Sequence, residues 1–409
     1  MAEAVVCGSG AAGLAAGAML RRAGVEVLVL ERSDRVAASW RSRHPALRLN
    51  TTGLMSTQPG YRARRRRYGE FPSRDNWIQY LEDYAAHHRL NVRCGVEVER
   101  IESRDGVWRV NTNGGDIEAR AIVVATGHDH DPYMPDWPGA ESFSGELLHS
   151  SAYSDPKPYR GRDVLVVGPG VSGSEIAHLL AAGGAARVRI ACRTPPHIMP
   201  RKWLGVSVNV PGVVLHHLPL RVADHMAGVG ERVMIGNLSR YGLPRPPVGL
   251  ATQVAQTGQA AAYDDGFVAS VKDGRIEIVA AVEGFDGADV LLADGSRTQP
   301  DVVIAATGYR RGLGPLVGHL GVLDARGWPL VHGAQQHPSA PGLFFTGFRF
   351  ELSGQLRLMR FDARAIARAA RRQLKPRGKR QEVLSATTIR WRSKSIGRSA
   401  DRPSSTWHR

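Results

Sequence analysis

The chain has 409 residues, 43% of them hydrophobic, and a formal net charge of +16. That length is enough for two domains with well-buried cores, and the composition is that of a globular enzyme. The charge does not read as a nucleic-acid signal, because a net +8, half of the total, falls in residues 374–409. A second basic run, Arg62 and Arg64 to Arg67, reads as a solvated surface loop. The three cysteines, Cys7, Cys94 and Cys192, form no CxxC and no metal-ligand spacing, so neither a disulfide framework nor a zinc site is expected. The apolar stretch from Ala11 to Leu20 has no basic segment before it, is broken by Gly13 and Gly17, and is too short to span a bilayer. A cytoplasmic enzyme with reduced thiols and no membrane span is the expectation.

Ala4 to Cys7 is predicted as a short apolar strand and Ala11 to Ala23 as a helix, with Arg21 and Arg22 where cations suit the helix dipole. Val25 to Leu30 is a continuous apolar run, as in a buried parallel strand. The three make one βαβ unit. Ile122 to Ala125 is predicted as a strand closed by Thr126-Gly127, and Pro132, Pro135 and Pro138-Gly139 as an extended linker. The βαβ pattern then recurs, with strands over 163–167 and 188–191 and a helix over 172–182. Residues 196–262 are rich in Pro and Gly and read as loops and helices between domains, where a substrate pocket is expected. Val302 to Ala305 is a strand followed by Thr307-Gly308, and Gly342 to Gly347 is the last strand. Ser353-Gly354 opens a helix with Leu356, Met359, Ala363, Ile366 and Ala367 on one face.

The simplest fold is α/β, with two Rossmann-like dinucleotide-binding domains, the second inserted into the first. The predicted division is 1–155 and 299–373 for the first domain, 156–298 for the inserted one, and a basic, disordered tail over 374–409.

Two glycine motifs carry the chemistry. In Gly8-Ser9-Gly10-Ala11-Ala12-Gly13, Gly8 permits a tight turn, Gly10 lets backbone approach a pyrophosphate, and Gly13 lets the helix pack on the strand. Glu31 closes the second strand at the distance expected of a ribose-binding acid, with Arg32 beside it. The helix N-terminus offers N–H groups to phosphates. In Gly168-Pro169-Gly170-Val171-Ser172-Gly173 the following strand ends in Cys192-Arg193, where an NAD site usually has an acid. Arg193 is either a partner for a 2′-phosphate, which favours NADP, or a plain surface cation. Two such sites imply hydride transfer between two cofactors.

Between the two motifs lies Phe143-Ser-Gly145-Glu-Leu-Leu-His149-Ser-Ser-Ala-Tyr153. This resembles the FxGxxxHxxxY fingerprint of class B flavin-containing monooxygenases. Ala-Thr-Gly at 125–127 and Ala-Thr-Gly-Tyr at 306–309 resemble that family's strand-end motifs, and the resemblance runs over roughly residues 4–370. Arg240 to Pro246 and Thr194 to Arg201 look most like YUCCA-type indole-3-pyruvate monooxygenases, while Leu47 to Thr51 resembles general flavin-containing monooxygenases, in which such an Asn lies beside the flavin C4a position. The departures are Ala11 where the family often has Pro and Val171 where it often has Asn; neither removes a required glycine.

The resemblance implies FAD at the first motif, NADPH at the second, a C4a-(hydro)peroxyflavin formed with O₂, and oxygenation of a small molecule. It makes Asn50 the candidate catalytic residue. The candidate cofactor contacts are Gly8, Gly10, Gly13, Glu31, Arg32, Trp40, Arg41, Thr126, Gly168, Gly170, Ser172, Gly173, Arg193, Thr307, Gly308 and Ser353. Trp40 and Arg41 read equally as a packed aromatic and a surface cation, and His149 and Tyr153 as linker-shaping residues or as acid–base groups. The helix after Ser353 would aim its positive end at the flavin. Oxidative decarboxylation of an aromatic 2-oxo acid is one expected reaction, and N- or S-oxygenation is the other. A Baeyer–Villiger enzyme would usually end the fingerprint in Trp rather than Tyr153. A disulfide reductase would need a cysteine pair, and a redox sensor or peroxide-producing oxidase is the rival from another class. Oligomeric state is left open.

Overall fold

In the computed structural model, which describes residues 1–104 and 106–374, each glycine motif sits where a buried parallel strand turns into a helix. The basic tail expected after residue 374 lies outside the described residues. Strand β1 (Ala2–Cys7) leads into helix α1 (Ala11–Arg22) and on to β2 (Val27–Glu31), which pairs parallel to β1 with Ala4 opposite Val27. From Ala4 to Cys7 and from Val27 to Leu30 these strands are apolar because both faces are covered. Ala4, Val6, Val27 and Val29 pack toward α1, whereas Val5, Leu28 and Leu30 pack toward Trp108, Leu313 and Leu316.

The first sheet has the order β3 (Val92–Cys94), β2, β1, β6 (Ile117–Val124), β5 (Val107–Thr112), β4 (Val98–Arg104). A late strand, β12 (Leu343–Phe345), pairs parallel to the second half of β6. The second sheet is wholly parallel, in the order β10 (Glu277–Val279), β9 (Arg187–Ala191), β8 (Asp163–Val167), β11 (Val302–Ala305), β7 (Glu146–His149). Helix α3 (Val171–Gly183) connects β8 to β9, repeating the β1–α1–β2 arrangement.

This pairing displaces both expected domain boundaries. β7 lies before residue 155 and β11 after residue 299, yet both join the second sheet, with Val302 opposite Glu146 on one side and Val164 on the other. The chain returns to the first sheet only at β12. An apolar four-residue strand suits the centre of either sheet, so its local pattern does not name its partners. The basic run also differs from a bare loop: Arg65–Tyr68 form one helical turn, with Arg65 3.0 Å from Glu70 and Arg67 2.6 Å from Asp83.

Helix α2 (Arg74–His87) and α6 (Gln355–Leu374), the last helix among the described residues, close the first unit. The α6 stripe Leu356, Met359, Ala363, Ile366 and Ala367 packs into the core that holds Leu14 and Ala18 of α1, as its spacing predicts. Among the described residues no helix is long and apolar enough to cross a membrane, and no His, Cys, Asp and Glu cluster could hold a metal ion.

Ile366 is wholly buried at this seam. Ile366→Ala is expected to lower unfolding stability by about 2–4 kcal/mol, read as a lower denaturant midpoint with unchanged m-value.

Candidate active site

The two glycine turns share one geometry. Gly8 has φ +106°, and a Cβ there would stand 2.5 Å from the Ala125 carbonyl oxygen. Gly168 has φ +101°, and its Cβ would stand 2.8 Å from the Ala306 carbonyl oxygen. A Cβ on Gly13 would run into the Gly8 carbonyl, and one on Gly173 into that of Gly168. Gly10 and Gly170 differ: both cap their helices in extended backbone, and nothing lies within 4 Å of a Cβ at either. Neither helix has a side-chain N-cap or an acidic residue in its first turn, so its first N–H groups and positive dipole end remain available to an anion.

Glu31 is buried and accepts hydrogen bonds from the Ser9 N–H (2.9 Å), the Ser9 hydroxyl (2.7 Å) and the Ser33 N–H (3.0 Å). It therefore shapes the first turn, with one carboxylate lone-pair position of about four still open. Arg32 lies 3.0 Å from His130 Nε2. The Thr126 hydroxyl is buried beside Gly8 with no hydrogen-bond partner. Trp40 stands edge-on to Trp77 at 6.0 Å. Arg41, expected beside the cofactor, instead has its guanidinium taken by Glu82 of α2 and the Val36 carbonyl. Ser353 is fully buried just before α6, near Glu351.

Around the second turn, Ser172 is half-buried in the first turn of α3. Arg193 is exposed and lines a small pocket of about 310 Å³ with Pro195, Gly242 and Pro244. The Thr307 hydroxyl, expected at a cofactor, donates to the Tyr133 carbonyl. Gly308 has φ +85° and its carbonyl lies 3.0 Å from His149 Nε2.

A cavity of about 530 Å³ lies between the first unit (residues 40–51 and 350–356) and residues 199–263, which include helix α5 (Leu250–Thr257). Trp40, Leu49, Asn50, Met199, Leu250 and Val254 are on its wall. The Asn50 carbonyl accepts from Asn209 Nδ2 (2.6 Å), and Asn209 Oδ1 accepts from the Tyr263 hydroxyl (2.7 Å), whose pKa burial pushes up to about 12. This chain fixes the Asn50 backbone at the cavity wall. Two charged side chains line the space, Arg48 and Glu351. Glu351 is matched by His216 at 2.9 Å and Arg349 at 3.3 Å, whereas Arg48 has no carboxylate partner among the described residues. Sequence reading missed Arg48, Asn209 and Tyr263; no motif marks them, and only the fold collects them.

Residues 5–208 match the family model for pyridine nucleotide-disulphide oxidoreductases. The indole-3-pyruvate monooxygenase YUCCA1 of Oryza sativa subsp. japonica is 34% identical over 84% of this chain and 86% of its own. The chain belongs to the YUCCA monooxygenase family. A probable indole-3-pyruvate monooxygenase of Arabidopsis thaliana, YUCCA3, is 32% identical over 94% of this chain and 90% of its own. Among solved structures, a flavin-containing monooxygenase from Stenotrophomonas maltophilia covers 90% of this chain and 99% of its own with a TM-score of 0.67 at 24% identity, a likeness of fold. The YUCCA family uses FAD and NADPH, so this chain is an FAD- and NADPH-dependent monooxygenase. Disulfide chemistry does not fit it: Cys7, Cys94 and Cys192 are all free, and burial pushes the Cys7 thiol up to about 12.

His149 of the fingerprint is neutral by construction. Its Nδ1 accepts from the Ser151 N–H at 3.0 Å while Nε2 donates to Gly308, and burial holds its pKa below the ordinary value. Tyr153 is buried against Tyr159 at 5.8 Å. His149 thus ties the end of β7 to the turn after β11, and Tyr153 belongs to the core of the second unit.

Burial likewise lowers the pKa of His128 and His332. For such groups the unfolded chain binds more protons below about pH 6.5, so stability present above that pH is lost on acidification. His197 has the opposite sign: burial pulls it down, but the hydrogen bond and charge of Glu231 outweigh burial and raise it, so its contribution is lost as pH rises. His88 is lowered by burial as well, so four histidines stand against one; the thermal midpoint is expected to fall as pH drops from about 7 to 5, and His149→Gln is expected to flatten that fall. A pH series of melting curves on both proteins checks this.

Proposed function

We propose that this YUCCA-family enzyme converts an aromatic 2-oxo acid, NADPH, O₂ and a proton to the shortened acid, CO₂, NADP⁺ and water. FAD is assigned to the turn at Gly8, Gly10 and Gly13, with Glu31, Arg32 and Thr126 beside it and Trp40 and Ser353 toward the cavity. NADPH is assigned to the turn at Gly168, Gly170, Ser172 and Gly173, with Arg193 for its 2′-phosphate. The NADPH unit is read as an insertion in the FAD unit, entered after β6 and left before β12. Two features fit a flavin dinucleotide: the Thr126 hydroxyl is buried without a partner, and the space beside Gly10 is clear. Bound together, the two cofactors supply hydride transfer and activation of O₂.

The chain's own residues bind, orient and exclude water. The apolar wall of the cavity suits an indole ring and keeps water from the reacting centre. The Asn50 amide, on a backbone held by Asn209 and Tyr263, can donate a hydrogen bond inside it. The observation that carries the substrate assignment is Arg48, a cation without a carboxylate partner among the described residues on a mostly apolar wall, available to receive a carboxylate. Indole-3-pyruvate is the first such compound to test. A second reading, oxygenation of a neutral amine or sulfide, is favoured by Asn50.

Gly10→Ala and Gly170→Ala are expected to fold normally, since neither methyl meets an atom of the protein. Gly10→Ala loses bound FAD, seen as loss of flavin absorbance; Gly170→Ala keeps FAD but is reduced slowly by NADPH without oxygen. Arg193→Ala is expected to cut the preference for NADPH over NADH by about tenfold.

Arg48→Ala is expected to raise KM for indole-3-pyruvate by about five- to tenfold, a figure discounted for the exposure of its side chain, and to leave turnover of a neutral thioether unchanged. Products are analysed by mass with catalase present, because free peroxide decarboxylates 2-oxo acids. Coupled sulfoxide formation, with no indole-3-acetate above the control, would favour the second reading.

A further inference from the structure

Helix α4 (Leu220–Met234) has one face buried against the cavity and the other bare. Val222, Met226, Val229 and Val233 follow at i, i+4, i+7 and i+11, so they fall within about 60° of one another around the helix. Each is more than 40% exposed, Val233 at 66%. A single exposed apolar residue is ordinary, but a continuous stripe of four is not. Arg221, His225 and Arg232 border the stripe on one side, and all three are exposed. The two carboxylates of the helix point the other way. Asp224 accepts from Ala251 N at 2.7 Å and Thr252 N at 3.1 Å, and Glu231 is buried on His197 at 2.9 Å. The outer face thus carries apolar and basic groups only.

A second, independent feature lies at the same mouth. Lys202–Trp203 pairs with Val206–Ser207 across the two-residue turn Leu204-Gly205. Both turn residues have positive φ, +48° and +81°, as in a type I′ turn, where Asn-Gly is the low-strain sequence. A leucine here accepts strain to stand in water, 82% exposed, beside Trp203 at 48% and Val206 at 55%. Trp203, Val206 and Met226 also line the cavity, so the hairpin and α4 meet at its rim.

We propose that this face docks on an anionic lipid surface, with the α4 stripe and the Leu204 tip in the headgroup–acyl boundary and Arg221 and Arg232 on the lipid charges. The charge distribution selects this occupant: α4 turns no carboxylate outward, and Glu70 beside the hairpin is paired with Lys202 and Arg65, which complements anionic headgroups. The cavity mouth would then open toward the membrane, from which an apolar substrate could enter.

The test uses the full-length, FAD-loaded chain, sedimented with vesicles of phosphatidylcholine or of phosphatidylcholine with one-third phosphatidylglycerol. The unmodified chain is expected to sediment with the anionic vesicles. Val229→Asp with Val233→Asp is expected to weaken that binding more than about tenfold, while NADPH oxidation without vesicles is unchanged. Leu204→Asn is expected to weaken binding yet raise the melting temperature, because Asn tolerates the left-handed turn. All variants keep the basic residues 374–409. Equal binding by the double variant would assign the interaction to that tail and overturn the proposal. So would absence of binding by the unmodified chain, or a dimer that the double variant dissociates and that ignores vesicles.

Discussion

At the end of a central strand in each unit a peptide carbonyl, that of Ala125 or of Ala306, comes so close to the next turn that no side chain can stand between them. Glycine at Gly8 and Gly168 follows from that contact, and Gly13 and Gly173 follow from the tight approach of each helix to its own turn. The contact joins the strand that closes a unit to the loop that opens it. It also fixes the helix N-terminus, with its free N–H groups, against the strand end where Thr126 or Thr307 stands. The same five-part device appears twice, so the two proposed cofactor sites share one geometry although the sheets differ in size and strand order.

The parts of the fold legible in the sequence are those fixed by local constraint. The two βαβ units, the strand over 302–305 and the apolar stripe of α6 were readable because glycine spacing and hydrophobic period are local properties. The assignment of β11 to the second sheet was not readable, because an apolar parallel strand carries no mark of its neighbours, and β7, Glu-Leu-Leu-His at the sheet edge, is too short and polar to stand out as a strand. The site divides the same way. Gly10, Glu31 and Arg193 announce themselves by position in a motif. Arg41 looked equivalent to its neighbour Trp40, yet Glu82, forty-one residues further on, claims its guanidinium. Arg48, Asn209 and Tyr263 carry no motif at all and become a group only through tertiary contact around the cavity.

The cavity's electrostatics give it a direction. Glu351 is paired with Arg349 and lies 2.9 Å from His216 Nε2, and Asp224 and Glu231 are turned into the protein as caps and partners. What remains toward the open space is apolar wall, the Asn50 amide and the Arg48 cation. A mostly apolar pocket whose rim carries a cation with no carboxylate partner among the described residues favours an amphipathic anion over a neutral ligand of equal size. Burial holds His128 and His149, at the strand ends, below the ordinary histidine pKa, in keeping with structural roles for both and with chemistry carried by FAD and NADPH.

The central claim is that this YUCCA-family chain inserts an oxygen atom from O₂ into an organic substrate at the expense of NADPH. Turnover of indole-3-pyruvate under oxygen-18 gas, with catalase present and NADPH use recorded, tests it most directly. The account expects one labelled oxygen in the carboxylate of indole-3-acetate and one NADPH consumed per acid formed. Unlabelled acid, or NADPH consumed with peroxide as the sole oxygen product, would contradict it.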